Sequence, residues 1–275
     1  MIPAPFDYLR ANSIELAVSL LAEHGDDAKL LAGGHSLLPM MKLRLAFPSV
    51  LIDVRRIEEA SYIRIDGDFV AVGALTRHCE LAGSQLLRAE ASLIPKVAGL
   101  VGDPQIRHRG TLGGSLAHAD PAADLPAAIL ASDAVLVVQG PAGRREIAAL
   151  DFFLDYYETA LRPDEMLVEI RLPRTPGQRS HYEKFVRRAN DWAIVAVATV
   201  GGRIAMANMG NRPLRALAAE RALAAGATIA DAAELAAEGT EPMQDMHADR
   251  EFRQHLARVL SRRSLAAVTE PAQPG

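Results

Sequence analysis

The chain has 275 residues, of which 49% are hydrophobic and 23% are charged, and its formal net charge is -4. This length is enough for two domains with separate cores, and scattered basic residues in a slightly acidic chain argue against a nucleic-acid partner. The start lacks the pattern of a signal peptide, and no run reaches the roughly 18 apolar residues of a membrane helix, so we expect a cytoplasmic protein without a transmembrane segment.

Cys79 is the one cysteine of the chain. An intrachain disulfide is therefore impossible, and an iron–sulfur cluster, which needs about four cysteinate ligands, cannot be held by this chain alone. Any cluster that exchanges electrons with the protein must belong to a partner. Cys79 itself is expected to pack as a small residue near the start of a helix.

The first hundred residues alternate between helical and strand patterns. Apolar spacing between Ser13 as N-cap and Gly25 as terminator predicts a helix over 13–24. The following pattern predicts a strand over 29–31, a short helix over 37–44, a buried strand over 50–54, a hairpin with strands over 62–65 and 69–73, a helix capped by Thr76 that runs to about Leu87, and a helix over 92–101.

Two glycine pairs stand beside hydroxyl side chains. The first is Ala32-Gly33-Gly34-His35-Ser36, and the second is Thr111-Leu112-Gly113-Gly114-Ser115. Glycine can adopt positive φ and lets the backbone approach another molecule, and exposed amides beside hydroxyls suit phosphate. A lone glycine pair more often marks a plain turn. Two of them, each entered from a strand, predict a clamp in which main-chain N–H groups hold a diphosphate from both sides.

Polar residues continue beyond the second glycine pair. His118, Asp120 and Asp124 interrupt a segment otherwise built of alanine, leucine and proline. Their spacing, even with His35 included, fits no compact metal motif, so a metal site is disfavoured. A serine hydrolase is also disfavoured, because Ser36 is not followed two residues later by the glycine of a nucleophile elbow.

The rest of the chain divides at a linker. Thr175 to Ser180 carries proline, glycine and polar residues without periodicity, which predicts domains over 1–174 and 180–275. Before the linker we predict a helix that starts around Asp120 to Asp124 and runs to Leu130, and strands over 134–138 and 145–147. After it the pattern predicts strands over 182–186, 193–200 and 203–209 and helices over 214–225, 229–237 and 247–268.

The two glycine motifs, in this order and separation, resemble those of the FAD-binding medium subunit of molybdenum hydroxylases, the relatives of carbon monoxide dehydrogenase and xanthine dehydrogenase. The resemblance extends over 182–195, from Tyr-Glu-Lys-Phe to Trp-Ala-Ile-Val, and over 212–216, so it covers essentially the whole chain. It implies an α+β fold: a two-part FAD-binding domain of the vanillyl-alcohol-oxidase/PCMH type, followed by a smaller α+β C-terminal domain with an antiparallel sheet.

The resemblance also implies cofactor contacts. Ser36, Thr111 and Ser115 would hydrogen-bond the FAD phosphates, and Asp124 would reach a polar part of the nucleotide. Lys184 would lie near the flavin ring, where a cation stabilises the anionic reduced flavin and raises its potential. The full expected set is Ala32, Gly33, Gly34, His35, Ser36, Leu37, Thr111, Gly113, Gly114, Ser115, His118, Asp120, Asp124, Leu167 and Lys184. Trp192, the one tryptophan, fits core packing as well as flavin stacking.

The function implied by the resemblance is electron transfer within a heterotrimeric molybdenum hydroxylase. A large molybdopterin-binding subunit would oxidise the substrate, a small subunit would carry [2Fe-2S] clusters, and the FAD of this chain would pass electrons to NAD, quinone or oxygen, in a dimer of heterotrimers. The adjacent methionines of Leu37 to Met41 predict part of the docking surface or of the core beneath it. A self-contained FAD-dependent reductase or oxidase, and a nucleotide-binding scaffold without a redox step, are the alternatives.

Overall fold

The structure is a computed structural model, and it describes residues 2–269. The strands are β1 (Asp7–Arg10), β2 (Ala28–Leu31), β3 (Val50–Asp53), β4 (Ile63–Asp66), β5 (Phe69–Gly73), β6 (Val135–Gly140), β7 (Gly143–Ala148), β8 (Phe153–Asp155), β9 (Glu158–Thr159), β10 (Met166–Pro173), β11 (Ser180–Phe185), β12 (Val195–Val200), β13 (Arg203–Ala207) and β14 (Leu214–Arg215). The helices are α1 (Ile14–His24), α2 (Leu37–Lys42), α3 (His78–Gly83), α4 (Gln85–Glu90), α5 (Leu93–Gly99), α6 (Pro104–Arg107), α7 (Leu112–His118), α8 (Asp124–Ala131), α9 (Ala149–Phe152), α10 (Leu217–Ala224), α11 (Ile229–Glu234) and α12 (Arg250–Thr269).

The strands form three main sheets. A small parallel sheet has the order β1-β3-β2. An antiparallel sheet of five strands has the order β4-β5-β10-β6-β7. After the predicted linker, an antiparallel sheet has the order β11-β12-β13-β14. The predicted α+β class, with an antiparallel sheet in the C-terminal part, is confirmed, whereas the exact domain boundaries stay a prediction.

Alternation along the strands determines which layer each side chain joins. In β10, Met166 and Val168 pack with α1 and β3, whereas Leu167 and Ile170 face the helices on the other side of the sheet, because the pairing register shifts between Leu167 and Glu169. In β12, Val195 and Val197 join the core with α12, while Ala196 and Ala198 face the first part of the chain. The layers therefore share strands whose two faces are both buried.

Helix α8 lies at the centre of these layers. Each of its residues, Asp124 to Ala131, is buried. Ala196 and Ala198 of β12 and Ala205 and Ala207 of β13 belong to the same core as α8, and their small side chains let the helix pack close to the sheet. One hydrophobic core thus continues from the five-stranded sheet through α8 into the C-terminal sheet.

Local sequence signals predict several of these elements well. Ser13 caps α1 by accepting a hydrogen bond from the Leu16 N–H, and the hairpin of β4 and β5 turns at Gly67 as expected. The single helix predicted from Thr76 to Leu87 is wrong. The Thr76 hydroxyl donates to the Tyr62 carbonyl instead of capping, and Ser84 ends α3 and caps α4 through the Leu87 N–H.

Among residues 2–269, no helix combines the length and the apolar character needed to span a bilayer.

Candidate functional site

The first glycine motif connects the end of β2 to α2, and its two glycines serve different purposes. Gly34 has φ +77°, in the left-handed region that favours glycine. Gly33 has no positive φ, but a Cβ on it would lie 2.4 Å from the Arg109 carbonyl oxygen. The predicted positive φ therefore applies to Gly34, whereas Gly33 is required by the close approach of another backbone segment.

Four successive N–H groups of this motif are open. No residue in the described range 2–269 accepts a hydrogen bond from the backbone N–H of Gly33, Gly34, His35 or Ser36. The carbonyls of Gly34 and Ser36 are already in use, since they accept from Leu38 and Met40 at 3.1 Å each. Consecutive unpaired N–H donors are an arrangement that suits an anion, so the first motif has the donors that the predicted phosphate contact needs, and the contact itself stays a prediction.

The second glycine motif differs from its prediction. Thr111 is the N-cap of α7, and Gly113 and Gly114 lie inside that helix without positive φ. Their N–H groups are satisfied within the protein: Gly113 donates to the Ala74 carbonyl at 2.8 Å and Gly114 to the Thr111 hydroxyl at 3.2 Å. The prediction that both motifs offer main-chain N–H groups is therefore wrong for the second one, because helix formation uses them.

The glycines of α7 instead permit close packing and leave one face open. A Cβ on Gly113 would lie 2.6 Å from the Ala74 Cβ, so this glycine lets α7 sit against the end of β5. Gly114 is exposed, and Ser115 beside it is half-buried. Thr111 is buried and accepts from Gly114, but its own O–H remains able to donate. The second motif thus contributes hydroxyl groups and an open helix face.

The fold brings the two motifs together. Gly33 lies against Arg109 and Gly110, directly before the second motif, and a Cβ on Gly114 would come within 3.9 Å of the Ala32 Cβ. The open N–H groups of the first motif and the Thr111 and Ser115 side of α7 therefore border the same region. We call this region, residues 32–37 and 111–115, the cradle.

His78 packs against Gly110, directly beside the cradle, and the sequence did not predict it as a residue of the site. It is 4% exposed, its backbone N–H donates to the Gly110 carbonyl at 3.0 Å, and its imidazole Nε2 lies 2.6 Å from where a Cβ on Gly110 would be. Burial lowers the pKa of His78 to about 4, and the charges of His35 and Arg107 act in the same direction. The imidazole is therefore neutral near pH 7. A histidine in a helical pattern carries no sequence signal for this role.

His118 and Asp120 lie at the other end of α7. Ala119 has φ +53° and ends the helix, and Asp120 accepts a hydrogen bond from the Ala122 N–H at 2.9 Å. The His118 ring packs on Tyr157, with ring centroids 5.1 Å apart, and burial lowers its pKa against the opposing effect of Asp120. Tyr157, in the β8–β9 turn, was not predicted to lie here. A cofactor contact by His118 or Asp120 stays a prediction.

Asp124 and Lys184 meet across the two parts of the chain. Asp124 is the first residue of α8 and is 5% exposed. Lys184 Nζ donates to Asp124 Oδ2 at 3.0 Å, and the Tyr182 hydroxyl donates to Oδ1 at 2.5 Å. Burial raises the pKa of Asp124, while the Lys184 charge and the Tyr182 hydrogen bond oppose that rise. The sequence predicts Asp124 and Lys184 as cofactor contacts but gives no such signal for Tyr182, although Tyr182 shares a strand face with Lys184.

The remaining predicted residues have mixed outcomes. Leu167 is buried in β10, a strand that contacts α7, and it belongs to the same core as Leu116 of that helix. Trp192 is 60% exposed, so the core-packing alternative is wrong, while flavin stacking stays a prediction. Met41 packs against Leu31 and Leu51 in a small core. Of the two roles predicted for Leu37 to Met41, this fits a core beneath the docking surface. The exposed apolar side chains come just after it: Leu43, Leu45 and Phe47.

Within residues 2–269, no three His, Cys, Asp or Glu side chains are grouped so that they could hold a metal ion.

Comparison with known proteins gives matches over nearly the whole chain. Residues 4–175 match the family described as the FAD binding domain in molybdopterin dehydrogenase, and residues 180–268 match the CO dehydrogenase flavoprotein C-terminal domain. The chain is 41% identical to the carbon monoxide dehydrogenase medium chain of Hydrogenophaga pseudoflava, over 97% of this chain and 98% of that relative. It is 36% identical to subunit alpha of the 6-hydroxypseudooxynicotine dehydrogenase complex of Paenarthrobacter nicotinovorans, over 100% and 98% of the two chains.

A solved structure matches equally well. Carbon monoxide dehydrogenase from Hydrogenophaga pseudoflava, in a form that lacks the Mo-pyranopterin moiety of the molybdenum cofactor, superposes with a TM-score of 0.94. The two chains are 44% identical, and the match covers 98% of each.

Proposed function

Because the chain belongs to the FAD-binding medium subunits of carbon monoxide dehydrogenase-type molybdenum hydroxylases, we propose that it carries electrons from partner [2Fe-2S] clusters through FAD to an external acceptor. The chain is thus an oxidoreductase subunit whose cofactor is FAD. FAD would take up electrons one at a time from the iron–sulfur clusters and pass two electrons to the acceptor. The acceptor would be NAD, quinone or oxygen.

The meeting of the two glycine motifs is the observation that carries this proposal. The open N–H groups from Gly33 to Ser36 fit the oxygens of a diphosphate, and the hydroxyls of Thr111 and Ser115 supply donors from the other side. A Cβ on Gly33 would be blocked by backbone, so the loop is built for close approach. The residues present therefore fit the diphosphate of FAD.

The remaining cofactor contacts follow the same proposal. Ala32 to Leu37 would hold the diphosphate from one side and Thr111 to Ser115 from the other, in a domain of the PCMH type. Asp124 would accept a hydrogen bond from a polar part of the nucleotide, and His118, Asp120 and Leu167 would border it. Lys184, already within 3.0 Å of Asp124, would provide the cation near the flavin ring.

The partners follow from what this chain lacks. A single cysteine cannot hold an iron–sulfur cluster, so the clusters would lie in a small subunit. A large subunit with the molybdenum cofactor would oxidise the substrate, and the whole would form a dimer of heterotrimers. The relatives at 41% and 36% identity come from enzymes named for different substrates, carbon monoxide and 6-hydroxypseudooxynicotine. We therefore assign the choice of substrate to the large subunit.

The experiment that tests this function compares the isolated chain with the reconstituted complex. Under anaerobic conditions, the isolated FAD-loaded chain should be bleached by a chemical reductant but not by hydroxylase substrates. Addition of the iron–sulfur and molybdenum subunits should give substrate-dependent bleaching. Stoichiometric bleaching of the isolated chain by an organic substrate would instead establish a self-contained flavoenzyme, and a chain that binds no FAD would establish a scaffold.

A further inference from the structure

One face of β11 connects the two parts of the chain through polar contacts. Ser180, Tyr182 and Lys184 alternate along this strand and therefore point the same way. The Ser180 hydroxyl lies 2.7 Å from the Ser92 hydroxyl, and Ser180 also accepts from Lys96 Nζ. Tyr182 and Lys184 both reach Asp124. Strand β11 of the C-terminal part is thus held against α5 and α8 of the first part by three side chains on one of its faces.

Asp124 is the acceptor of this contact surface, and its two oxygens are divided between the two donors. Oδ1 accepts from the Tyr182 hydroxyl and Oδ2 from Lys184 Nζ. A carboxylate has about four acceptor sites, so two remain for a further partner. Tyr182 is buried in the central core, and within residues 2–269 its hydroxyl makes no hydrogen bond other than the one to Asp124. The hydroxyl therefore has one evident contact, which is Asp124.

Opposing effects act on the pKa of Asp124, which lies above its ordinary value because burial is the largest of them. Burial favours the neutral acid, whereas Lys184 and the Tyr182 hydrogen bond favour the carboxylate. Among the described residues, these two are the ionisable groups that act on Asp124. Charged groups on the other elements around α8 are engaged elsewhere: Lys96 with Ser180, Arg203 with the Ala131 carbonyl, Arg215 with the Leu130 carbonyl and Glu220, and His118 against Tyr157.

We infer that Tyr182 is a positioning residue for the cofactor contact of Asp124: its hydroxyl holds the Asp124 carboxyl group in one rotamer, with Oδ2 on Lys184. This inference rests on the proposed function, in which Asp124 and Lys184 contact FAD. Tyr182 needs no contact with the cofactor. The C-terminal part then contributes to FAD binding in two ways, through Lys184 directly and through Tyr182 by way of Asp124.

The matched experiment uses two tyrosines that each donate to a buried carboxylate. Tyr182→Phe removes the bond to Asp124, and Tyr62→Phe removes the bond of 2.6 Å to Glu169 on the five-stranded sheet. FAD affinity of the full-length apoprotein is measured by quenching of flavin fluorescence from mildly acidic to neutral pH. If about one carboxylate in ten keeps the competent arrangement without the hydroxyl, the apparent Kd rises about tenfold.

The pH profile and a direct titration separate positioning from general destabilisation. Loss of the Tyr182 bond removes an effect that lowers the pKa of Asp124, so FAD affinity should begin to fall at a higher pH in Tyr182→Phe than in the natural chain. The ¹³C carboxyl resonance of Asp124 in the apoprotein should show the same upward shift of its midpoint. Tyr62→Phe should change neither quantity.

Asp124→Asn separates failure of this inference from failure of the proposed function. Unchanged FAD affinity in Asp124→Asn would remove Asp124 from the cofactor site and the inference with it. Weaker FAD binding by Asp124→Asn together with unchanged FAD binding by Tyr182→Phe would overturn this inference and leave the proposed function intact. Equal losses of FAD affinity in the two phenylalanine variants would also overturn the inference, and so would an unchanged titration midpoint of Asp124 in Tyr182→Phe. Either result would leave Tyr182 with a structural role only.

Discussion

Gly33 of the first glycine motif packs directly on the backbone of Arg109, so closely that a Cβ on the glycine would lie 2.4 Å from the Arg109 carbonyl oxygen. Arg109 and Gly110 lead into α7, which carries the second motif. The distance between the two halves of the cradle is therefore set by a backbone contact that a side chain cannot enter.

Gly33→Ala should lower FAD affinity by about tenfold or more, because backbone on both sides must move to admit the methyl group. Gly99→Ala in α5 is the control, since nothing lies within 4 Å of a Cβ there and alanine favours the helix. Flavin fluorescence titration of the two apoproteins gives the comparison. Equal affinities in the two variants would mean that this contact does not shape the cofactor site.

Gly114→Val should abolish FAD binding while leaving most of the fold intact. The reason is not positive φ, since Gly114 is helical, but a Cβ 2.7 Å from the Thr111 hydroxyl that caps α7, on an exposed face beside Ala32. Gly83→Val in α3 is the matched control, because a Cβ there meets nothing within 4 Å. His118→Ala, at the far end of α7, should have a milder effect. FAD occupancy per chain, read from the visible spectrum after gel filtration, decides the question. Full occupancy in Gly114→Val would show that this face of α7 points away from the cofactor.

His78 should make the free energy of unfolding depend on pH. Its pKa falls from 6.5 in the unfolded chain to about 4 in the folded protein, so its stabilising effect is complete above pH 6.5 and is lost as the pH falls towards 4. The loss amounts to about 3 kcal/mol, since one pKa unit corresponds to about 1.4 kcal/mol. Urea unfolding across this range should show a steeper decline for the natural chain than for His78→Gln. His255→Gln, at an exposed position of α12, should keep the natural slope. A His78→Gln profile parallel to the natural one would contradict the assignment of a neutral buried imidazole.

FAD should be bound without a covalent link, one molecule per chain. Cys79 is only half-buried in α3, and the sequence places no histidine or cysteine in a clear flavin-linking context. Acid precipitation of the loaded protein should leave a colourless pellet and release FAD that chromatography identifies in the supernatant. Yellow colour in the pellet, or FMN in the supernatant, would contradict this prediction.

Much of the local structure could be predicted from the sequence. The cap at Ser13, the turn at Gly67 and the nearly uninterrupted apolar run of β12 are encoded locally, because capping, turn conformation and burial pattern act over a few residues. The two glycine motifs were likewise visible, since each places a glycine pair beside hydroxyl side chains. Their residue types predicted the kind of ligand before any geometry was known.

The chemistry of each motif was decided by tertiary structure. Gly113 and Gly114 could equally have formed a loop, but the Thr111 cap and the fit against Ala74 place them in a helix, where their N–H groups are already used. Gly33 meets Arg109, and Tyr182 meets Asp124, only because whole elements pack in one arrangement. Contacts between residues far apart in the chain depend on the packing of whole elements, and local periodicity carries no information about which side chains that packing brings face to face.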